Sequence, residues 1–269
     1  MQVTLVGCGN MGSALLLGIA RTGLVSSFHL FNRSSAKAES LARQLPNASV
    51  FSNAADALAG ANVVLLAVEP DGILPLLSEL AGVLETSRPL VISVAAGVRL
   101  SQMQALVPHA RLVRLMPNTA VAIGEGSSGF VCSSSCLAAD APLCQRLFAA
   151  TGLCVELSCE DDIQAVVSLA GSAPAFFYEL LDAMQQQGVA QGLSPELSLQ
   201  LATQAMKGSA ALQQQSGQDP KSLRNAITSP NGATLAGLRR LNALQLKQHW
   251  QSVLQACANR LQEMDAERS

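Results

Sequence analysis

A glycine-rich loop near the start of the chain carries the residues with the clearest chemical meaning. Gly7, Gly9 and Gly12 have the spacing Gly-x-Gly-x-x-Gly, with Asn10 and Met11 between the last two. The loop directly follows an apolar run and opens a helical pattern, which is the context in which this spacing binds a dinucleotide. The first glycine permits a tight turn, the second lets the backbone approach a pyrophosphate, and the third allows the helix to pack closely on the strand. We therefore expect these five residues to bind a dinucleotide cofactor; the alternative is a glycine-rich turn without a ligand.

The end of the second apolar run indicates which dinucleotide is bound. An NAD enzyme usually has Asp or Glu here for the ribose 2′-hydroxyl. This chain has Asn32, Arg33 and Ser34, with Lys37 one turn further on. These donors and positive charges suit a 2′-phosphate, which favours NADPH over NADH. The alternative is a solvated turn capped by Ser34 or Ser35, in which case NADH is used as well.

Three further segments end predicted strands of the same sheet. Ligands of open α/β sheets bind beyond the carboxyl ends of the strands, so these segments are expected to line the cofactor. Their residues are Ala67, Val68, Glu69, Pro70, Ala95, Ala96, Gly97 and Asn118. The alternative for the first two segments is an ordinary strand-to-helix turn. Asn118 and Thr119 either bind the carboxamide or the substrate, or they shape the turn after Pro117.

The loop Ser229-Pro230-Asn231-Gly232-Ala233-Thr234 lies in the other half of the chain, just before a helical pattern. Backbone N–H groups at the start of a helix attract anions. The loop therefore suits a substrate carboxylate, although its composition fits an ordinary helix cap equally well.

Two kinds of element position these residues. Short apolar runs at 3–6, 28–31, 63–68, 90–94 and 111–115 alternate with helical patterns, which predicts βαβ units and a parallel sheet with helices on both faces. From about Cys159 the pattern becomes helical throughout, at 162–188, 195–215 and 244–264. We predict an α/β domain at 1–159 and an all-helical domain at 160–269.

Composition excludes several other classes of protein. Only 13% of residues are charged, the net charge is −2 and aromatic residues make up 3%, which disfavours nucleic-acid binding. The N-terminus has no signal-type segment, and no apolar run has the length of a membrane span. The seven cysteines lack paired spacing and the three histidines are isolated, so we expect free thiols, no metal site and a cytoplasmic location.

The motifs VGCGNMG, AVEP, SVAAG, RLMPNTA, AGSAPAFFYELLDAM and TSPNGATLAGL, in this order, resemble the pyrroline-5-carboxylate reductase family over essentially the whole chain. The resemblance implies an N-terminal Rossmann domain and a helical domain that dimerises, with dimers often assembling into rings. It implies reduction of the imine 1-pyrroline-5-carboxylate to L-proline with NADPH or NADH, the last step of proline biosynthesis. It places Ser229, Gly232, Ala233 and Thr234 on the substrate carboxylate, with Ser172 and Pro174 at the adjoining helix break. Thr234, or a water near it, is the candidate proton partner in catalysis.

The chain departs from the family pattern locally. The family usually has AVKP, MPNTP, SGSGPAY and SPGG. This chain differs at Glu69, Ala120, Ala170, Ala173, Phe176 and Asn231. These changes bear on cofactor affinity and choice more than on the reaction, and Asn231 is able to adopt a left-handed backbone.

Three alternatives remain open at this point. A β-hydroxyacid dehydrogenase resembles its family through a lysine on the first long helix of the second domain, but no Lys or Arg lies between Arg146 and Lys207. A reductase of a related small-ring imine, or a non-catalytic nucleotide-binding scaffold, is also compatible with the motifs. The apolar stripe Leu246, Trp250, Val253, Cys257, Leu261 and Met264 packs either within its own domain or against a second chain.

Overall fold

The computed structural model describes residues 1–267, so residues 268 and 269 of the predicted second domain lie outside the described residues. Contacts divide the chain into two compact units. One comprises Met1–Ser172 and the C-terminal residues from Cys257 on, and the other is Ala173–Ala256. The domain limits 1–159 and 160–269, as limits of folding units, remain a prediction.

The first unit contains eight strands among the described residues. They are β1 (Gln2–Val6), β2 (Ser27–Phe31), β3 (Ala48–Val50), β4 (Val63–Leu66), β5 (Leu90–Ser93), β6 (Arg111–Met116), β7 (Gly126–Cys132) and β8 (Gly152–Glu156). Its helices up to Ser172 are α1 (Asn10–Arg21), α2 (Ser35–Ala42), α3 (Ala54–Ala57), α4 (Pro70–Ser87), α5 (Leu100–Leu106), α6 (Asp140–Phe148) and α7 (Asp162–Val166). Short 3-10 turns lie at Thr119–Ile123 and Ala149–Thr151, and a π-helical turn lies at Val167–Gly171.

The strands form one sheet in the order β3-β2-β1-β4-β5-β6-β7-β8. Neighbouring strands are parallel except β6 and β7, which are antiparallel. The sheet reverses its direction of growth at β1, and β1 and β4 are neighbours, which is the switch point at which such sheets bind nucleotides. The predicted parallel sheet is therefore confirmed for β1 to β6, and two further strands, β7 and β8, run antiparallel to it beyond β6.

Successive side chains of the central strands point to opposite faces of the sheet, and each face packs against helices. Val63 and Leu65 pack in one apolar cluster with α1, while Val64 and Leu66 pack in another with α4. All four are essentially inaccessible to solvent. Strands that are buried on both faces read as continuous apolar runs, which explains why these strands were identifiable from the sequence.

The remaining helices are α8 (Ala173–Ala190), α9 (Pro195–Ser216), α10 (Pro220–Ala226), α11 (Ala233–Ala243) and α12 (Leu246–Glu267). Between Ala173 and Ala256 the structure contains no strand, so the predicted helical character of this region is confirmed. The helices α8 and α9 pack closely where Gly188 faces Ser198, because a Cβ at Gly188 would lie 2.5 Å from the Ser198 hydroxyl. Within residues 1–267, no helix combines the length and apolar character that a bilayer crossing requires.

Candidate functional site

The glycine loop lies between β1 and α1, at the carboxyl end of β1. Gly7 has a φ of +102° and its N–H donates to Phe31 O at 2.9 Å, which ties the loop to the end of β2. A Cβ at Gly7 would lie 2.5 Å from Ala67 O, and one at Gly12 would clash with Gly7 O and lie 2.9 Å from the Ala67 Cβ. These two glycines are required by backbone packing, as predicted for a tight turn and a close helix–strand contact.

Gly9 differs from the other two glycines. A Cβ built there meets no atom within 4 Å, although Gly9 is the N-cap of α1. Among the described residues no side chain caps this helix, so its first backbone N–H groups lack a side-chain partner. An uncapped helix start beside open space fits a pyrophosphate, because the N–H groups and the helix dipole both favour an anion there.

Cys8 lies in this loop, but its thiol is not expected to react or to carry charge there. Its side chain is buried, and burial raises the pKa of the Cys8 thiol to about 11. The thiol is therefore neutral at physiological pH and adds no negative charge beside a phosphate.

The candidate 2′-phosphate residues take different positions. The Asn32 side chain is hydrogen-bonded within the protein. Its Oδ1 accepts from Cys8 N at 2.9 Å and its Nδ2 donates to Ser34 O at 3.0 Å. Arg33 and Ser34 are exposed, and Ser34 occupies the N-cap position of α2 without a capping bond from its side chain. The structure thus leaves Arg33 and Ser34 accessible to a phosphate, while Asn32 shapes the glycine loop.

Ala67, Val68, Glu69 and Pro70 connect β4 to α4, with Glu69 as the N-cap and Pro70 as the first helical residue. Ala67 supports the glycine loop from the neighbouring strand, since its backbone and Cβ contact Gly7 and Gly12. Glu69 is exposed at the same edge of the sheet.

The residues that follow β5 and β6 lie at this edge too. Ala95 N donates to Ser93 Oγ at 3.4 Å, and Gly97 adopts a φ of +70°. Asn118 is 9% exposed; its Nδ2 donates to Ala170 O at 3.1 Å and its Oδ1 accepts from Ala120 N and Ser127 N. These bonds favour the turn-shaping interpretation of Asn118. Its cofactor contact stays a prediction.

The sheet thus brings all the predicted cofactor residues to one edge. The glycine loop and the segments after β2, β4, β5 and β6 follow strands that are mutually parallel neighbours. The carboxyl ends of parallel strands meet at one edge, so these segments share one surface of the first unit. Within residues 1–267, no group of three or more His, Cys, Asp or Glu side chains is placed to hold a metal ion.

The predicted substrate loop lies in the second unit, before α11. Gly232 N donates to Ser229 O at 3.1 Å, and Asn231 adopts a left-handed φ of +60°. Gly232 is the N-cap of α11, and the described residues supply no side-chain cap. A Cβ at Gly232 would meet the Ser229 hydroxyl, which would have to rotate away. The amides of Ala233 and Thr234 therefore open the helix on an exposed surface, which is the arrangement a carboxylate requires.

Ser172 ends the first unit, and its N–H donates to Val167 O at 2.7 Å in the π-helical turn. The structure brings Ser229, Gly232, Ala233 and Thr234 together in one loop. Ser172 is counted with the other unit, so its part in substrate binding stays a prediction.

Sequence reasoning missed a pair of charged residues in the first unit. Arg114 is 2% exposed on β6 and forms an ion pair with Glu160, with 2.7 Å between Nη1 and Oε1. The available signal was an arginine inside the otherwise apolar run Arg111–Met116, since a charge is buried only when it is paired.

Two family models match the chain. The model described as "Pyrroline-5-carboxylate reductase dimerisation" matches residues 160–264. The model described as "NADP oxidoreductase coenzyme F420-dependent" matches residues 2–97.

Individual proteins are similar over nearly the whole chain. The pyrroline-5-carboxylate reductase of Pisum sativum is 31% identical over 261 residues, covering 96% of this chain and 94% of that protein. That of Haemophilus influenzae is 32% identical over 265 residues, covering 98% and 97%. Among solved structures, a pyrroline-5-carboxylate reductase from Coxiella burnetii has a TM-score of 0.92 and 29% identity, covering 97% of both chains. The enzyme from Plasmodium falciparum, with NADP bound, has a TM-score of 0.86 and 26% identity, covering 98% of both chains.

Proposed function

The chain belongs to the pyrroline-5-carboxylate reductase family, and we propose that it reduces 1-pyrroline-5-carboxylate to L-proline with NAD(P)H, the last step of proline biosynthesis. The observation that carries this proposal is similarity to such enzymes across both parts of the chain, at 31% to 32% identity. The uncapped start of α1 beside Gly9 adds an independent physical argument for the dinucleotide.

The first unit supplies the cofactor site. We assign the pyrophosphate to the N–H groups of Asn10, Met11 and Gly12, and the 2′-phosphate of NADPH to Arg33 and Ser34. Arg33 is exposed and positively charged, so NADPH is the preferred cofactor and NADH the alternative. The bound cofactor supplies a hydride from nicotinamide C4, which C5 of the ring imine receives.

The second unit supplies the substrate loop. Ser229, Gly232, Ala233 and Thr234 hold the substrate carboxylate, and Ser172 is a further proposed substrate-binding residue. A protonated imine is already a strong electrophile, so orientation and electrostatics supply most of the catalysis and no cationic acid is needed. Thr234, the second residue of α11, is the proposed proton partner for the ring nitrogen, either directly or through a water.

An alcohol dehydrogenase reaction is disfavoured by the side chains of the second unit. The described helices α8 and α9 have no cationic residue before Lys207, so no lysine or arginine is present on α8 to act as a cationic acid. An imine that carries its own proton does not need one.

We further propose that the protein is a homodimer. Residues 160–264 match a family model described as a dimerisation domain. An apolar groove of about 360 Å³ in the second unit is lined chiefly by Phe176, Leu180, Leu246, Trp250 and Val253. Leu246 and Val253 are 38% and 40% exposed, and exposed apolar surfaces of this kind mark interfaces. The apolar stripe of α12 is thus exposed at Leu246 and Val253. Leu261, which belongs to the first unit, is buried.

We also propose that dimers assemble into a ring, and the mass of the native complex tests this.

The cytoplasm is the proposed location, since the seven cysteines are free thiols, as expected in a reducing compartment.

The test is a turnover assay with purified protein, 1-pyrroline-5-carboxylate and NADPH. We expect loss of the NADPH absorbance and formation of L-proline. Absence of turnover by protein that demonstrably binds NADPH would contradict the reductase and leave a non-catalytic nucleotide-binding protein. Faster turnover of another small-ring imine would instead point to a related reductase.

A further inference from the structure

A cluster of two arginines and three carboxylates joins several segments of the first unit. The Nη1 of Arg114 on β6 donates to Glu160 Oε1 at 2.7 Å. Arg99, which precedes α5, pairs with Asp161, and its Nε lies 3.8 Å from Glu160 Oε2. Asp265 on α12 lies 3.9 Å from Arg114 Nη2 and 4.0 Å from Arg99 Nη1. The reaction described above uses none of these groups.

Glu160 is the member of this cluster that connects to the candidate cofactor site. Its Oε1 accepts a second hydrogen bond, from Leu100 N at 2.7 Å. Leu100 is the first residue of α5 and follows the loop Ala95–Gly97 by three positions. Arg114 lies on β6, the strand that leads to Asn118. One carboxylate oxygen therefore links the segment after β5 to the neighbouring strand.

The charges make this link rigid. The Arg114 side chain is almost fully buried, so loss of its short ion pair with Glu160 would be costly. Hydrogen bonds between charged partners are shorter and stronger than neutral ones, and they hold Glu160 in one position. The Leu100 amide at the start of α5 has no partner within its helix, and a fixed carboxylate there is favourable.

The hydrogen bonds at Ala95 and at Leu100, on the two sides of Gly97, differ in length. Within the loop, the bond from Ala95 N to Ser93 Oγ is 3.4 Å, at the long end of the hydrogen-bond range. The bond from Leu100 N to Glu160 is much shorter, and it fixes the chain just beyond the left-handed Gly97.

We propose that Glu160 is a positioning residue that holds the Ala95–Gly97 loop in the conformation that receives the nicotinamide end of NAD(P)H. The inference rests on the proposed function, because the sequence predicts that this loop lines the cofactor and its small residues would let the nicotinamide ring approach the backbone. Glu160 acts through Leu100 and Arg114 and does not touch the reactants.

The test compares Glu160→Gln with Glu263→Gln in the full chain. Gln keeps the shape of the side chain but removes the charge that fixes it against Arg114. We expect NADPH to bind about tenfold more weakly, equivalent to about 1.4 kcal/mol, while the KM for the imine stays near the wild-type value. Backbone amides of residues 94–101 should exchange hydrogen faster. Glu263, on α12, pairs with Arg260 at the surface and is 61% exposed, so its variant should match wild type in all three measurements.

A second variant guards against a folding defect. Glu160→Asp keeps a charge beside Arg114, but its shorter side chain cannot reach Arg114 and Leu100 together, so NADPH binding should still weaken. Unchanged NADPH affinity and unchanged hydrogen exchange at residues 94–101 in either variant would overturn the proposal, even if Tm is lowered. Wild-type protein that does not bind NADPH would instead contradict the proposed function.

Discussion

Replacing each of two glycines in the cofactor loop by alanine should have opposite consequences for folding and for binding. In Gly12→Ala the new Cβ would lie 2.9 Å from the Ala67 Cβ and would overlap Gly7 O. Carbon atoms in contact are normally about 3.5 Å apart or more, so the Ala67 Cβ must move by about 0.6 Å and the overlapping Gly7 carbonyl by more. Overpacking of this kind costs about 1–3 kcal/mol.

In Gly9→Ala the new Cβ meets no protein atom, and Gly9 has a φ of −77°, which alanine adopts without strain. The expected cost is below about 1 kcal/mol, the difference between glycine and alanine at an N-cap. The methyl group would occupy the space that we assign to the pyrophosphate. NADPH affinity should therefore fall by at least about tenfold, or 1.4 kcal/mol.

Thermal unfolding and a fluorescence titration with NADPH measure the two effects. Gly12→Ala should lower Tm by roughly 2–12 °C, from about 2–4 °C per kcal/mol for a chain of this size. Gly9→Ala should leave Tm almost unchanged and lose binding. The control is Gly82→Ala, within α4, where the new Cβ also meets open space and neither property should worsen. Wild-type NADPH affinity in Gly9→Ala would refute the assignment of this space to the pyrophosphate.

Three further predictions concern the substrate loop, the cofactor preference and a buried thiol. Thr234→Ala should lower kcat for the imine about 100-fold while NADPH affinity stays unchanged. The control is Thr86→Ala, at an exposed position. Equal losses of kcat and of NADPH affinity in Thr234→Ala would make the loop purely structural. Arg33→Asp should shift the ratio of kcat/KM values toward NADH, and an unchanged ratio would remove the 2′-phosphate assignment. Burial raises the pKa of Cys8 from 9.0 to about 11, so the unfolded thiol ionises first. The contribution of Cys8 to stability is complete below pH 9 and is lost as the pH rises toward 11. Cys8→Ala should flatten this alkaline decline in the free energy of unfolding, and an unaltered pH profile would contradict the shift.

The fold was predictable wherever a strand is buried on both faces. The runs in β1, β2, β4, β5 and β6 are predominantly apolar, and each was found to within a few residues. The strand β7 begins Gly-Ser-Ser-Gly, a composition with low strand propensity, and it was missed. Its glycines are required by distant neighbours, since a Cβ at Gly129 would lie 2.7 Å from Val166. Tertiary packing, which the local sequence does not encode, decides this strand.

The site was predictable to the extent that its chemistry is local. The glycine loop and the start of α11 follow from the order of a few residues, because turn geometry and free helix amides are properties of short segments. The hydrogen bond from Cys8 N to the Asn32 side chain, 24 residues away, was not predictable. Neither was the ion pair of Arg114 with Glu160, which joins residues 46 positions apart. Such partners are set by the strand order of the sheet, which periodicity alone does not reveal.

Transfer of a labelled hydride tests the central claim most directly. Purified protein is incubated with 1-pyrroline-5-carboxylate and NADPH that carries deuterium at nicotinamide C4 on the transferred face, and the product is analysed by mass spectrometry and NMR. The account predicts L-proline with one deuterium at C5 and none elsewhere on the ring. Proline without the label, or oxidation of NADPH without formation of proline, would contradict it.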